Sequence, residues 1–425
     1  MTLAWQRLHN GPARPMPTAD RRPPMTDLHP VFWIMAAAVA APLLAEIPIG
    51  LRVPVVVIEV LLGIVIGPHG LGLVRFEGFM ASMYAFGMAA TLFMAGMELD
   101  FKHIRGTPLW LALSGWALSL LLAAAAAMLL YATPLADAPL TLTLALCTTA
   151  LGTLLPVLRD SGQLDSPFGR LFLAAGTVGE VAPIVAMSLL LSQHYSSWQE
   201  FGFLLLFLAL VLASAAAGMG LRPAPVVRLL QRTLHASTQL PVRLVLLITT
   251  FYFVLTEEFG LENILGAFAA GMVVGLATRG HEARTVRHKI DALFFGWFIP
   301  FFFVGTGVKF HLHAITHDLT TALLVPVILA VLLVARGLPV LLYRQHLAPP
   351  ERLPFALYSS VASLSLVVVI TDIGVHTHSI GAPLAAAVVG AALLSVLVFP
   401  TLAAVLRPLP AQAGHARQRG EDEGY

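Results

Sequence analysis

Stretches of about 20 apolar residues recur along nearly the whole chain, and they limit what it can fold into. A helix must be about that long to cross the hydrocarbon core of a bilayer, which is about 30 Å thick. Charged residues, prolines and glycines separate thirteen such stretches. These cover residues 28–47, 53–71, 79–99, 108–131, 139–159, 167–193, 200–220, 240–259, 262–278, 292–310, 319–343, 352–375 and 378–407. The sequence therefore predicts an all-α polytopic membrane protein with about 13 transmembrane helices.

The composition excludes a soluble domain and several classes of function. Hydrophobic residues make up 58% of the chain and charged residues 11%, whereas about 25% of a soluble domain is charged. A formal net charge of +2 offers no basic surface of the kind that binds nucleic acid. The sequence has no Gly-rich loop that ends in Gly-Lys-Ser or Gly-Lys-Thr, and no nucleophile–base arrangement within the spans. We therefore expect no enzyme activity and no cofactor, and transport that is passive or driven by an ion gradient.

Basic residues fall on alternate connections between the spans. One set of connections carries Arg52, Lys102, Arg105, Arg159, Arg170, Arg222, Arg228, Arg232, Arg243, Arg279, Arg284, Arg287, Lys289, Arg344 and Arg352, and the other carries only Arg75 and Lys309. The positive-inside rule then places the first set and a short tail, residues 408–425, in the cytoplasm of a multi-pass cell-membrane protein, with the N-terminus outside. Arginines in residues 1–27 disagree with this orientation. We interpret that segment as a disordered leader or a misassigned start upstream of Met25.

The membrane domain, residues 28–407, divides into two sets of six spans if residues 200–220 form a linker helix. The two repeats, about 28–193 and 240–407, are then inverted relative to each other, and such repeats place a binding site at their interface near the bilayer midplane. The fifth and twelfth spans correspond, and polar or small residues interrupt both: Thr148, Thr149 and Gly152 in one, and Ser359, Ser360, Ser363 and Ser365 in the other. Matched interrupted helices can present helix ends to an ion. Alternatively, these Ser and Thr side chains only help helices to pack in lipid.

Glu180 is an ionisable residue in the middle of the sixth span. Such a residue costs about 2.5–3.5 kcal/mol in a membrane helix, so its presence points to a function. Pro183 lies one turn further on and frees a backbone carbonyl, because proline has no N–H to donate. A carboxylate beside broken backbone can bind a cation or a proton and would resist holding both. The alternative is a protonated or hydrogen-bonded glutamate with a structural role.

Arg336, in the eleventh span, is the second charge that needs a reason. It either extends along the helix to reach the interface or stabilises an acidic group in the membrane as its counter-charge. Weaker candidates are Glu59 in the second span, Glu98 at the end of the third, and Asp372, which we expect at the interface. A loop cluster contains His311, His313, His317 and Asp318. Its spacing fits no tight metal template, so no metal site is predicted.

Four motifs, in this order along the chain, resemble the sodium/proton exchanger superfamily, and its monovalent cation:proton antiporter-2 branch most closely. They are Pro54–Leu73 with Glu59, Gly63 and Gly67-Pro68; Leu92–Asp100; Gly266–Gly271; and Ile299–Gly307. The resemblance covers essentially all of residues 28–407. It implies a core of crossed, partly unwound helices, a separate dimerisation domain in a homodimer, and an elevator movement.

The resemblance also implies roles for residues in this chain. Thr148-Thr149-Ala150 matches the unwound-helix signature, and Arg336 stands where family members carry a basic residue that pairs with the acidic site. A pair of acidic residues in the sixth span is reduced here to Gly179-Glu180. The usual Gly-Glu of the twelfth span is replaced by Ala362-Ser363. Family members often carry a regulatory domain after the last span, and since the sequence stops at Tyr425 we expect none here.

Together these observations predict an antiporter that exchanges Na⁺ or K⁺ for protons. Glu180 would bind the cation and the proton in turn, with Thr148, Thr149 and carbonyl oxygens near Pro183 completing the site and Arg336 stabilising it. A lone Glu180 fits one-for-one, electroneutral exchange better than exchange that carries charge. The alternatives are a channel-like leak protein and a transport-inactive sensor that keeps the fold.

Overall fold

The computed structural model describes residues 28–47, 53–99, 106–132, 138–152, 166–190, 197–220, 233, 238–278, 283–310, 312 and 318–406. Every regular element in these ranges is helical. The helices are α1 (His29–Ala45), α2 (Val55–Ile66), α3 (Phe79–Glu98), α4 (Thr107–Tyr131), α5 (Pro139–Leu146), α6 (Pro167–Leu190), α7 (Ser197–Gly220), α8 (Leu240–Glu258), α9 (Asn263–Ala277), α10 (Ala283–Leu293), α11 (Ile299–Lys309), α12 (Leu319–Gly337), α13 (Pro349–Ser359), α14 (Leu364–His376) and α15 (Ala382–Leu406). A π-helical turn, Phe294–Phe298, joins α10 to α11, and a 3₁₀ turn, Leu338–Tyr343, extends α12.

The helices agree with the predicted spans. Eight segments in the described ranges are long and apolar enough to cross a membrane, with α10–α11 and α13–α14 each forming one segment. Shorter apolar helices occupy four more predicted spans, at α1, α2, α7 and α9. The remaining span, predicted at 139–159, begins with α5 and is described as far as residue 152. The chain is therefore a multi-pass helical membrane protein, and the prediction of about 13 spans is consistent with these helices.

The second and twelfth spans are among those whose limits differ from the prediction. The second was predicted to reach residue 71, but α2 ends at Ile66, because Pro68 disfavours a helical conformation at Gly67, whose ψ is 179°. The twelfth, predicted at 352–375, runs from Pro349 to His376 and is interrupted between Ser359 and Leu364. Residues 1–27, the tail 408–425 and three histidines of the predicted loop cluster, His311, His313 and His317, lie outside the described residues.

Contacts between helices divide the described part of the molecule into two bundles. The scaffold bundle contains α1, α2, α3, α7, α8, α9, α10 and α11, and the crossover bundle contains α4, α5, α6, α12, α13, α14 and α15. Contacts within each bundle are dense, whereas those between bundles are sparse and run mainly from α3 to α14, from α6 to α9 and from α6 to α7. Glu180 and both interrupted spans lie in the crossover bundle.

Glycines bring the scaffold helices into backbone contact. A Cβ atom at Gly63 of α2 would overlap the carbonyl oxygen of Val304 in α11. A Cβ atom at Gly307 of α11 would likewise overlap the carbonyl oxygen of Val60 in α2. Small residues at helix contacts stabilise membrane bundles by letting backbones approach closely. The small residues of the sequence motifs are therefore packing positions, and they hold the scaffold together as one unit.

Candidate functional site

The interruptions of the fifth and twelfth spans cross and hydrogen-bond to each other. The backbone N–H of Ala150 donates to the carbonyl of Val361 at 2.9 Å, and the N–H of Ser363 donates to the Thr148 hydroxyl at 3.3 Å. The Thr149 hydroxyl donates to the carbonyl of Ser359 at 3.2 Å. Each break therefore satisfies backbone groups that the other leaves without helical partners, which is how non-helical backbone is tolerated at membrane depth. The two interrupted spans therefore contact each other, as predicted.

Pro183 acts on this crossing through the carbonyl that it frees. Proline cannot donate to the residue four positions earlier, which is Gly179. The Gly179 carbonyl instead accepts the backbone N–H of Thr149 at 3.0 Å. The carbonyl that we expected to be available to a cation is therefore engaged in fixing α6 to the break after α5.

Arg336 lies at the centre of the crossing. It is buried, with 5% of its surface exposed, so it does not extend to the interface. Its guanidinium donates to the hydroxyl of Ser119 in α4 at 3.1 Å and to the hydroxyl of Thr149. Helices α5 and α13 end beside this charge, and a cation is favourable at the negative end of a helix dipole. Among the described residues it forms no ion pair with Glu180.

Position 179 has no room for a side chain. A Cβ atom built on Gly179 would lie 2.6 Å from Nη2 of Arg336 and 2.6 Å from the Thr149 hydroxyl oxygen. Both distances are far below van der Waals contact. The guanidinium thus fills the space into which any side chain at position 179 would project.

Glu180, the next residue, faces the other way into a cavity of about 760 Å³ between the bundles. The residue is 6% exposed, and no hydrogen bond or ion pair to its carboxylate is found within the described ranges. Ala150 and Ser363 line the same cavity, so the crossing forms one of its walls. The predicted site residues are therefore brought together, with Thr148, Thr149, Gly179, Arg336 and Ser363 in the crossing and the Glu180 side chain on its open side. Pro183 contributes only through the carbonyl of Gly179.

Two further carboxylates, Glu59 of α2 and Glu98 of α3, line this cavity. One Glu98 oxygen lies 3.1 Å from the position of a Cβ built on Gly152, directly after the break in the fifth span. Their position inside apolar spans was the available signal, but nothing in the sequence showed that they face Glu180. No sequence signal identified Ser119, which lies in an otherwise ordinary apolar helix. In the described ranges, no group of three or more His, Cys, Asp or Glu side chains has a geometry suited to a metal.

The C-terminal ends of α11 and α14 are held together by an ion pair. Lys309 forms an ion pair with Asp372, and its ammonium lies 5.0 Å from the ring centroid of Phe76 and 4.7 Å from that of Tyr84. The pair lines a smaller cavity of about 100 Å³. Asp372 is therefore an interhelical contact that joins the crossover bundle to the scaffold, and not simply a residue at the membrane interface.

These features define a class of protein: helical membrane proteins in which two interrupted helices cross beside a buried carboxylate. The sequence identifies the family within that class. Residues 35–406 match the family described as sodium/hydrogen exchanger, transmembrane, and the chain belongs to that family.

Sequence identity between this chain and individual relatives is low. The Bacillus subtilis protein YjbQ is 26% identical over 366 residues, which are 82% of this chain and 58% of that protein. Cation/H⁺ antiporter 18 of Arabidopsis thaliana is 28% identical over 311 residues, 67% of this chain and 37% of that protein. The Na⁺/H⁺-K⁺ antiporter GerN of Bacillus cereus is 24% identical over 65% of this chain and 71% of its own length. The chain thus spans about half the length of the first two relatives.

The fold has a counterpart among solved structures. The sodium proton antiporter MjNhaP1 from Methanocaldococcus jannaschii superposes with a TM-score of 0.54 at 17% sequence identity, covering 91% of this chain and 97% of that one. At this identity the likeness establishes a shared fold.

Proposed function

We propose that the chain is a secondary transporter, and not an enzyme, that exchanges Na⁺ or K⁺ for protons across the membrane. The Glu180 carboxylate carries the proposal, because it is buried in a membrane-spanning helix, faces a cavity and has no partner among the described residues. A buried carboxylate needs a proton or a cation to compensate its charge. Because one carboxylate does not hold both, competition at Glu180 couples the two movements. The names of GerN and of the Arabidopsis relative support the same pair of substrates.

The hydrogen bonds of the crossing support different roles for its residues in cation binding and in positioning Arg336. The Thr149 hydroxyl oxygen already accepts from the Arg336 guanidinium, so a second cation at that oxygen would be repelled. Thr149 and Gly179 therefore position Arg336, which stabilises the crossing when the site is empty. The Thr148 hydroxyl donates to the carbonyl of Ala145 at 3.0 Å and accepts from the N–H of Ser363 at 3.3 Å. One lone pair of its oxygen is left by these two bonds, and with it Thr148 joins Glu180 in binding the cation.

We also propose that this arrangement is open to the cytoplasm. The cavity is walled by the beginning of α2 and the end of α3, which are the ends that the positive-inside rule places in the cytoplasm. Movement of the crossover bundle along the scaffold would carry Glu180 to the other side, and the sparse contacts between the bundles suit such a movement. The inverted repeats with their linker helix, the N-terminus outside and the homodimer remain predictions.

The proposal is tested by measuring cation-induced proton movement in everted membrane vesicles, with Na⁺, K⁺ and Li⁺ added across a range of pH. Proton movement that saturates with one cation, and is absent from vesicles without the protein, supports antiport. Flux that neither saturates nor couples to protons would indicate a leak protein. No movement with any of the three cations would indicate the transport-inactive sensor. In proteoliposomes, current that accompanies exchange would contradict one-for-one stoichiometry.

Breaking the Lys309–Asp372 pair is expected to favour the state that opens on its side of the membrane. A partly exposed ion pair contributes up to about 1 kcal/mol, which corresponds to about a fivefold change in an equilibrium. A cysteine introduced by Thr371→Cys in the small cavity should then react about fivefold faster with a membrane-impermeant maleimide when Lys309→Met is added. Asp372→Asn should give the same acceleration.

The double variant Lys309→Met/Asp372→Asn separates the ion pair from a general loss of charge. It should react no faster than either single variant, because both remove one interaction. Arg75→Met, which removes an exposed cation predicted on the same face, is the matched control and should leave the rate unchanged. Additive accelerations, or an equal effect of Arg75→Met, would refute the interaction.

A further inference from the structure

Glu59 is a buried carboxylate that takes no part in the crossing of the two interrupted spans. It lies about one turn after the start of α2 in the scaffold bundle, and 6% of its surface is exposed. Within the described ranges its carboxylate has neither a hydrogen-bond donor nor a basic partner. Buried polar groups without partners are rare in native structures, and each calls for an explanation such as an ion or a functional role. Glu59 lines the large cavity, so a partner from solution can reach it.

The cavity that Glu59 faces is acidic on opposing walls. Glu180 enters it from the crossover bundle, and Glu59 and Glu98 enter it from the scaffold bundle. The buried guanidinium of Arg336, next to Gly179, is turned away from the cavity and donates to Ser119 and Thr149. Among the described residues that line the cavity there is no lysine or arginine. Glu59 and Glu180 have no counter-charge among the described residues, and two such carboxylates in a shared low-dielectric space favour the binding of a cation or a proton.

We propose that Glu59 is a second ion-binding group of the transport path, which holds an alkali cation or a proton near Glu180 while the cavity is open on this side. This inference rests on the proposed exchange of cations for protons. Because Glu59 and Glu180 belong to different bundles, any movement of one bundle along the other separates the two carboxylates. Glu59 therefore raises the affinity for the cation on the cavity side only, and the opposite side depends on Glu180 without it. The two faces of the protein then differ in apparent affinity.

Exchange measured separately from each face tests this asymmetry. With Glu59→Gln, the apparent KM for the cation is expected to rise about tenfold when the cation is added to the cavity side, which everted vesicles expose, while the maximal rate stays within about twofold. Right-side-out vesicles should show no change in KM. Glu59→Asp keeps the charge, so its apparent KM in everted vesicles should lie between those of wild type and Glu59→Gln. Glu257→Gln, at an exposed position on α8, is the matched control and should behave as wild type.

A binding measurement distinguishes failure of this inference from failure of the proposed exchange. The unfolding temperature of the detergent-purified protein is measured against Na⁺ and K⁺ concentration, since a cation that binds the folded state raises it. We expect Glu59→Gln to need about tenfold more cation than wild type for the same rise. If wild type exchanges cations and Glu59→Gln matches it on both faces, the inference about Glu59 is wrong and the exchange stands. If wild type binds a cation without exchanging it, the exchange is wrong, and Glu59 is judged by whether Glu59→Gln weakens that binding. If no cation stabilises or crosses with wild type, both fail.

Discussion

Replacing Glu180 with glutamine is expected to reduce cation-induced proton movement to the level of vesicles that lack the protein. Glutamine keeps the shape of the side chain and its buried position in α6, but it neither carries a charge for the cation nor takes up a proton at any pH of the assay. Coupling depends on one group that binds both ligands, so both fluxes should be lost together. The measurement is the vesicle assay with the cation that gives the largest response in wild type.

Two control variants test whether the loss of exchange is specific to the carboxylate at position 180. Glu180→Asp keeps a carboxylate and is expected to retain exchange with an altered apparent KM, because the shorter side chain changes the position of the carboxylate in the cavity. Glu257→Gln removes an exposed carboxylate at the end of α8 and should have no effect. Full exchange by a correctly inserted Glu180→Gln protein would show that the ion-binding carboxylate lies elsewhere in the cavity, with Glu59 and Glu98 as the candidates.

Replacing Gly179 with alanine is expected to destabilise the crossover bundle. The added Cβ would lie 2.6 Å from both the Arg336 guanidinium and the Thr149 hydroxyl oxygen. These atoms are held by their own hydrogen bonds, so relief of the overlap requires breaking the contacts that keep the two interruptions together. Overpacking of this kind costs about 1–3 kcal/mol. We expect the unfolding temperature of the purified protein to fall by several degrees, and exchange to fall with it.

The matched control for this variant is Gly202→Ala in α7, where a Cβ meets no atom within 4 Å. Alanine favours a helix over glycine by about 0.5–1 kcal/mol, so Gly202→Ala should be neutral or slightly stabilising. Gly179→Ala gains the same helix preference, and any loss of stability there arises from the overlap with Arg336 and Thr149. A Gly179→Ala protein as stable and active as wild type would contradict the packing described for Arg336.

The number of spans, the two interrupted helices and the burial of Glu180 were all predictable from the sequence. Each depends on a pattern along the chain: the length of an apolar run, the clustering of Ser and Thr within it, or a charge far from either end. These patterns are strong because lipid excludes unpaired backbone groups and charges from most positions. The crossing itself was predicted from the matched positions of the breaks and from the family resemblance.

The contacts made by single side chains were not predictable. In a membrane helix apolar residues cover the face toward lipid as well as the face toward protein, so the sequence does not fix the rotation of the helix about its axis. The partners of Arg336 depend on that rotation, and so does the placement of Glu59 and Glu180 on facing walls of one cavity. The ion pair between Lys309 and Asp372 joins residues 63 positions apart in two bundles. Only their tertiary arrangement shows that they meet.

The packing around Gly179 also limits the order in which this sequence can change during evolution. An aspartate at position 179 would meet the Arg336 guanidinium and Thr149 in their present positions, so that substitution alone is expected to be deleterious. It becomes tolerable only after an earlier change at Thr149 or Arg336 has freed the space, and a change at Arg336 alone leaves the Ser119 hydroxyl without this donor. The three positions therefore form an epistatic set, and a lineage with glycine at 179 can acquire an acidic residue there only through an ordered series of substitutions.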